Sequence, residues 1–162
     1  MPKFGEVPKE VPVERRLDQC APKFVDAVNG MLRDLRGQVN AMAFETLRTE
    51  ARQGFLYGFG RTYDDGRGKV TNAPSALNSW HAFGLAADVV EKDKTPWDAP
   101  VSFWEAIASA AEANGLASGA RWKKPDRPHV QWAKCPPSPT DEDRALLKAK
   151  GMQAVWKKYS AA

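Results

Sequence analysis

Histidine and cysteine are both scarce in this chain of 162 residues, which has two of each. Cys20 and Cys135 are too few for a disulfide framework and lack C-x-x-C spacing, so we interpret them as reduced structural thiols. No apolar run approaches the roughly 18 residues that a membrane-spanning helix needs. The first residues also lack the basic and then apolar layout of a secretory signal. We therefore expect a protein that is made in a cytoplasm without a signal peptide.

The composition is that of an ordinary globular protein with a basic end. Hydrophobic residues make up 43% of the chain, including six Trp and seven Phe, so one domain of this length can bury a sizeable core. The net charge is +4, and a run of basic residues follows the last acid, Asp143. This segment favours polyanions such as an anionic bacterial envelope, although a solvated helix face explains the same charges. Because the basic residues lack aromatic interleaving, we expect no specific nucleic-acid partner.

Prolines among charges over residues 1–13 predict an extended N-terminal arm, and apolar spacing predicts the elements after it. Pro22 is expected in the first turn of the first helix, or at a kink within it. Ser102 and Glu105 form a capping-box pattern, and Ser138-Pro139 is expected to begin the last helix. The predicted elements are helix 17–35, strand 39–44, helix 50–59, strand 69–71, strand 85–90, a helix from 102 to Gly115, loop 117–128, strand 129–132 and a basic helix over about 138–160. This order predicts one α+β domain.

Both histidines lie in short polar signatures. The first runs from Ser79 to Asp88 and reads S-x-H-x-x-G-x-A-x-D, with His81 seven positions before Asp88. An odd separation places two side chains on opposite faces of a strand, so the chain must turn between them, and Gly84 supplies the backbone freedom. A carboxylate in the apolar run 85–90 is costly unless it is paired or coordinated. Asp88 is therefore either a metal ligand, a turn cap or the partner of an arginine.

The second signature is Asp126-Arg127-Pro128-His129. Pro128 favours extended geometry before it, which predicts Asp126 on a loop and His129 at the start of a strand. A single histidine is more often a surface or core residue than a ligand. Two histidines, each near a carboxylate, nevertheless provide the three ligands of a catalytic zinc site and one further acid. Zinc makes hydroxide available near neutral pH, and a nearby carboxylate can pass its proton to a leaving amine. The pattern therefore predicts a hydrolase for amide bonds.

Together the two signatures closely resemble the zinc peptidases that include D-Ala-D-Ala dipeptidases and carboxypeptidases and the phage endolysins with L-alanyl-D-glutamate peptidase activity. Upstream segments resemble the endolysin branch in the same order, so that the resemblance covers about residues 44–132. These segments are Arg48-Thr49 with Gln53, Leu56-Tyr57, Gly60-Arg61-Thr62 and Val70-Thr71-Asn72-Ala73. The resemblance implies a Hedgehog/DD-peptidase-like single domain with a small antiparallel sheet packed with helices.

The resemblance also implies a role for each site residue: His81, Asp88 and His129 as zinc ligands, Asp126 as general base and acid, Arg48 as the donor to the substrate carbonyl and oxyanion, and Ser79 and Arg61 as substrate contacts. Ser79 is equally well explained as a turn residue, and Arg61 as a surface arginine. Two departures affect the pocket wall: Val130 rather than an aromatic residue follows the second histidine, with Trp132 later, and Gly119 stands alone where a glycine pair is expected.

These observations lead us to expect a phage endolysin that cuts the L-Ala–D-Glu bond of the peptidoglycan stem peptide. We expect a monomer of one catalytic domain over 1–162, without a separate cell-wall-binding domain. A separate pore-forming protein would release it from the host cytoplasm to the periplasm and cell wall. A D-Ala-D-Ala carboxypeptidase or dipeptidase is the alternative with the same ligands. A non-catalytic zinc-containing cell-wall-binding module is a further alternative, against which Asp126 and Arg48 argue.

Overall fold

Four antiparallel strands and five α-helices make up the part of the chain that the computed structural model describes, residues 3–92 and 98–162. The α+β prediction is thus confirmed. The helices are α1 (Pro22–Leu35), α2 (Glu50–Gly58), α3 (Val101–Ala113), α4 (Asp141–Lys150) and α5 (Met152–Lys158). The strands are β1 (Ala41–Glu45), β2 (Ala86–Glu91), β3 (Leu116–Ser118) and β4 (His129–Trp132). No helix within the described residues is long and apolar enough to cross a bilayer.

The sheet brings the two polar signatures side by side. Its strand order is β1-β2-β4-β3, so that β2 and β4 are hydrogen-bonded neighbours in the middle. Asp88 of β2 lies opposite His129 of β4, and Ala86 lies opposite Gln131. Because paired residues of an antiparallel ladder point to the same face, the side chains of Asp88 and His129 share one face of the sheet.

The apolar side chains of the helices and strands form one main core. Phe24 and Met31 of α1 and Ile107 of α3 are buried there with Val89 and Val130 of the central strands. Helix α1 begins at Pro22, its first residue, and not at Leu17 as the apolar spacing suggested. A proline at the first helical position loses no hydrogen bond, whereas one inside a helix clashes with the preceding turn.

Two further predicted helix starts are wrong. The cap residue of α3 is Pro100, and no side chain caps it, so Ser102 lies inside the helix and forms no capping box with Glu105. Helix α4 begins at Asp141 and not at Ser138. Thr140 Oγ1 accepts from the Asp143 backbone N at 3.1 Å, and Asp143 Oδ2 accepts from the Thr140 backbone N at 2.9 Å. The true capping box therefore stands two residues beyond the predicted start.

The predicted basic helix over 138–160 is in fact two helices. Gly151 separates α4 from α5 with φ at +83°, a value that L side chains rarely adopt. Two predictions about strands are also wrong. Residues 69–71 form no strand, and the predicted loop over 117–128 contains part of β3. Because β3 has only three residues, its pairing with β4 rather than its own apolar pattern defines it.

The N-terminal arm contacts α2 and the segment after it. Gly5 N donates to Thr62 O at 2.8 Å, and Arg52 Nη1 donates to Val11 O at 2.8 Å. Val11 also packs against a second apolar cluster, which consists of Phe55, Phe59 and Tyr63. Residues 3–13 form no helix or strand beyond one isolated bridge at Gly5, while Met1 and Pro2 of the predicted arm lie outside the described residues.

Candidate metal centre

A turn and a left-handed glycine place His81 beside the strand that carries Asp88. His81 lies in a short 3₁₀ turn, Trp80–Phe83, and Ser79 Oγ caps this turn by accepting from His81 N at 3.3 Å. Gly84 follows with φ at +68° and ψ at 30°. A Cβ there would be strained and would lie 3.1 Å from the Cα of Cys20. The predicted turn between His81 and Asp88 is therefore present, and glycine is required for it.

Three ligand atoms converge where β2, β4 and this turn meet. His81 Nε2 lies 3.4 Å from Asp88 Oδ1, and His129 Nδ1 lies 3.9 Å from the same oxygen. The three potential ligand atoms all lie within 4.8 Å of one another. Two imidazoles and one carboxylate are the donor set of many catalytic zinc sites. These residues could therefore hold a zinc ion.

The second nitrogen of each imidazole has a fixed partner outside the site. His81 Nδ1 lies 2.9 Å from Thr46 O, and His129 Nε2 lies 2.8 Å from Gln131 Oε1. Because a carbonyl oxygen can only accept, both outer nitrogens must carry a proton, so that in the neutral form of each imidazole the inner nitrogen presents its lone pair to the site. Gln131 is itself oriented, since its Nε2 donates to Pro136 O at 3.0 Å. Such outer partners fix the tautomer and orientation of metal-binding histidines.

The protonation states also suit a cation. Burial alone would raise the pKa of Asp88, but His81, Arg48 and His129 lower it to about 2. Burial and the charge of His81 lower the pKa of His129 to about 4. Near neutral pH the carboxylate is thus ionised and the imidazole of His129 is neutral, which are the forms that bind a metal ion.

Asp126 lies on the loop before β4, close enough to the centre for the charges of Asp88, His81 and Arg48 to shift its pKa. Its backbone is held at both ends, since Asp126 N donates to Gly119 O at 2.9 Å and His129 N donates to Asp126 O at 3.1 Å. The residue is exposed overall, yet partial desolvation of its carboxyl and the negative charge of Asp88 raise its pKa to about 6. A carboxyl with this pKa can both accept and donate a proton near neutral pH.

Gly119 is the residue that lets the backbone of Asp126 come so close. A Cβ at this position would lie 2.2 Å from the backbone oxygen of Asp126 and 3.2 Å from its Cβ. No side chain fits in that space. The single glycine that remains of the expected pair therefore stands where the loop of Asp126 crosses the end of β3.

Arg48 adjoins the centre through Asp88. Its Nη2 lies 3.5 Å from Asp88 Oδ2, the oxygen turned away from the histidines. Its Nη1 donates to Gln53 Oε1 at 3.0 Å, and its Nε donates to Glu45 Oε1. Among the described residues, three of the five N–H donors of this guanidinium thus have partners, which leaves two for another ligand. Asp88 therefore shares its two oxygens between the histidines and an arginine.

The two predicted substrate contacts have structural partners. Ser79 Oγ caps the turn that carries His81. Arg61 Nη1 donates to Tyr57 O at 2.8 Å and Nη2 donates to Thr71 O at 3.0 Å, while the guanidinium stacks 3.8 Å from the ring centroid of Tyr57. Through these bonds Arg61 stabilises the loop after α2.

Several residues of the centre escape prediction from the sequence. The aromatic neighbour of His129 is Trp122, whose ring centroid lies 5.0 Å away, and not Trp132, whose Nε1 donates to Tyr159 O at 2.7 Å. Thr46 and Glu45 carry no local signal of their roles either. A signal for Gln131 is present in the sequence, because it follows His129 at an interval of two in a strand and therefore shares its face.

Comparison with known proteins gives a family match over part of the chain and a similar fold. Residues 72–132 match a peptidase family described as D-alanyl-D-alanine carboxypeptidase. The fold is similar to the Serratia marcescens L-Ala D-Glu endopeptidase ChiX, with a TM-score of 0.57 and 24% identity, over 76% of this chain and 91% of that one. It is also similar to the LD-carboxypeptidase LdcB, with a TM-score of 0.51 and 13% identity, over 95% and 77% of the two chains. The comparison with curated proteins gives no match.

Proposed function

We propose that this chain is a zinc D-Ala-D-Ala carboxypeptidase-like peptidase that hydrolyses an amide bond in the stem peptide of peptidoglycan, a proposal that the family match and the fold support. The proposed bond is L-Ala–D-Glu, the bond named for the Serratia endopeptidase, and the proposed role is that of a phage endolysin that lyses the bacterial host. The observation that carries the proposal is the convergence of His81, Asp88 and His129 beside a second carboxyl, Asp126, and a held arginine, Arg48.

We propose that His81 Nε2, Asp88 Oδ1 and His129 Nδ1 hold a zinc ion. When bound, such an ion supplies Lewis-acid chemistry and a water molecule acidified to a pKa of about 7. The donor set and the proton on each outer nitrogen suit this ion, since zinc prefers neutral imidazoles with oriented second nitrogens.

We propose that Asp126 is the catalytic acid and base. At a pKa of about 6 its carboxylate can take a proton from water and return it to the leaving amine. The two N–H donors of Arg48 without a partner among the described residues suit the developing charge on the scissile carbonyl oxygen, because fixed donors cost no reorganisation during the reaction. Ser79 can still bind substrate through the second lone pair of its hydroxyl. Arg61 offers less support for that role, since both of its terminal nitrogens bind backbone carbonyls.

The test is digestion of purified peptidoglycan by the zinc-loaded protein, with and without a chelator, followed by mass spectrometry of the products. New D-Glu amino termini that disappear with the chelator are the expected result. Release of free D-Ala would instead favour the carboxypeptidase or dipeptidase alternative.

The Asp126→Asn variant separates catalysis from metal binding. It is expected to retain zinc and to lose hydrolysis by about 100-fold or more, because general acid–base catalysis contributes about 10²–10⁴-fold. Wall binding by the wild-type protein without any new termini would identify a non-catalytic module and refute the proposal.

We also propose that residues 1–162 act as one monomeric catalytic domain, which the basic last turn of α4 and the basic helix α5 attract to the anionic envelope. Lys150 and Lys157 are exposed and suit this role, whereas Lys158 Nζ lies 2.6 Å from Asp143 Oδ1 and is part of the fold. The double variant Lys150→Glu/Lys157→Glu is expected to lyse cells more slowly and to cleave soluble muropeptides at the wild-type rate. Equal loss of both activities would contradict this attraction.

A further inference from the structure

The deepest acid beside the centre has no role in the proposed reaction. Glu45 is 2% exposed at the end of β1, and both of its carboxylate oxygens bind arginines. Oε1 accepts from Arg48 Nε, and Oε2 accepts from Arg52 Nε at 3.3 Å and from Arg52 Nη2 at 3.2 Å. We propose that Glu45 is a positioning residue that holds the guanidinium of Arg48 in its working orientation. The catalytic part of this inference rests on the proposed function.

A β-bulge aims Glu45 at the centre. In the β1–β2 ladder Ala43 pairs with Val89, but Glu45, two residues on, pairs with Asp88, which is only one residue back. The extra residue between them is Phe44. Without the bulge, Glu45 would share the face of Ala43 and point away from the side chain of Asp88. Bulges occur next to active sites because they redirect one side chain in this way.

The bulge places two acids of neighbouring strands, Glu45 and Asp88, against the same guanidinium, that of Arg48. Glu45 and Asp88 are register partners on one face of the sheet, and a cation between two such carboxylates favours the charged form of both. Arg48 binds both, with Nε on Glu45 and Nη2 at 3.5 Å from Asp88 Oδ2. The two acids therefore hold the guanidinium of Arg48 on two edges. If this guanidinium moved away, it would leave the carboxylate of Glu45 buried without one of its cationic partners, which is energetically costly.

Arg52 and Gln53 fix the other ends of this network. Arg52 Nη1 donates to Val11 O at 2.8 Å, so that the guanidinium behind Glu45 is itself attached to the N-terminal arm. Gln53 is fully buried, and its Nε2 donates to Ala73 O at 2.6 Å, which turns its Oε1 towards Arg48 Nη1. Glu45 is the member that joins the two arginines.

The first test replaces one acceptor oxygen of Glu45. The Glu45→Gln variant keeps the shape of the side chain but has one acceptor oxygen where Glu45 uses two, so it cannot serve both arginines. We expect kcat on a muropeptide to fall by about 10- to 100-fold, because small misplacements of a catalytic group have effects of this size. KM and zinc affinity are expected to stay near wild type, since the metal ligands are unchanged.

A second measurement reads the position of Arg48 without relying on activity. In ¹H–¹⁵N spectra, the Nε–H of Arg48, assigned by its loss in Arg48→Lys, is expected to give a slowly exchanging signal in the wild-type protein. This signal is expected to broaden or exchange rapidly in Glu45→Gln. The spectra can be recorded with or without zinc. They therefore test the hold of Glu45 on Arg48 even if the wild-type protein cleaves no peptidoglycan, which would refute only the proposed function.

A double-mutant cycle and a control complete the design. In an Arg48→Lys background, Glu45→Gln is expected to change kcat by less than about threefold, because residues that act through one contact are not additive. Asp143→Asn removes another buried acid and is expected to lower Tm without changing kcat. Wild-type kcat in Glu45→Gln, additive losses in the double variant, or an unchanged Arg48 signal would each overturn the proposal.

Discussion

The space beside Gly119 yields the sharpest prediction about the loop that carries Asp126. A methyl group at residue 119 would lie 2.2 Å from the backbone oxygen of Asp126. The hydrogen bond from Asp126 N to Gly119 O, at 2.9 Å, prevents the two segments from separating freely. Because φ of Gly119 is not positive, the cost of Gly119→Ala is steric rather than conformational.

The expected magnitude follows from that contact. The loop must retreat by about 1 Å, and a displacement of this size at a catalytic group costs about 100-fold in rate. Overpacking of this kind also costs about 1–3 kcal/mol, which corresponds to a decrease in Tm of roughly 2–12 °C for a domain of this size. Zinc affinity is expected to stay near wild type, since β4 is paired on both sides and holds His129 in place.

The assay compares kcat/KM on a muropeptide, Tm by calorimetry and zinc affinity by competition with a chromophoric chelator. Gly54→Ala is the control, because Gly54 lies exposed in α2 and a Cβ there would meet no atom within 4 Å. That variant is expected to be as active as the wild type and about 0.5–1 kcal/mol more stable. Wild-type kcat/KM in Gly119→Ala would refute the steric argument, and so would a loss of zinc in step with activity.

Two further predictions concern the outer partner of His129 and the C-terminal helices. Gln131→Met leaves Nε2 of His129 without its acceptor and is expected to weaken zinc binding by about 10–100-fold in the competition assay. The control Gln38→Met, at an exposed site, is expected to bind zinc as the wild type does. Asp143 resists protonation in the fold: burial alone would raise its pKa, but hydrogen bonds from Lys158, Thr140 and Tyr159 lower it. The contribution of Asp143 to the free energy of unfolding is therefore fully present above the pKa of about 4 that it has in the unfolded chain. This contribution is lost as the pH falls through the lower pKa of the folded state. Asp143→Asn is accordingly expected to lower the free energy of unfolding by about 1–3 kcal/mol at pH 7, with a difference that shrinks below about pH 4 in urea titrations. A difference independent of pH would contradict this account.

Much of the centre could be predicted from local sequence, because the determinants are local. Two histidines near carboxylates indicate the proposed ligand set, and the odd spacing from His81 to Asp88 demands a turn, which the left-handed Gly84 provides. The strand 129–132 follows in the same way from its apolar residues after a proline. Periodicity fails as a guide where pairing or capping competes with it, as at Ser102, which lies inside α3, and in the three-residue strand β3.

The tertiary structure alone decided which residues surround those ligands. Thr46 reaches His81 from 35 positions away, and Trp122 rather than Trp132 packs beside His129. The bulge that turns Glu45 towards Asp88 is a shift in the register of β1 against β2, which is defined by the pairing of the two strands. The sequence by itself therefore determined the types of the proposed ligands and the local turn that presents them. The register of β2 against β4 and the contacts between distant segments decided the rest, because such contacts depend on how the whole chain packs and leave no periodic trace along it.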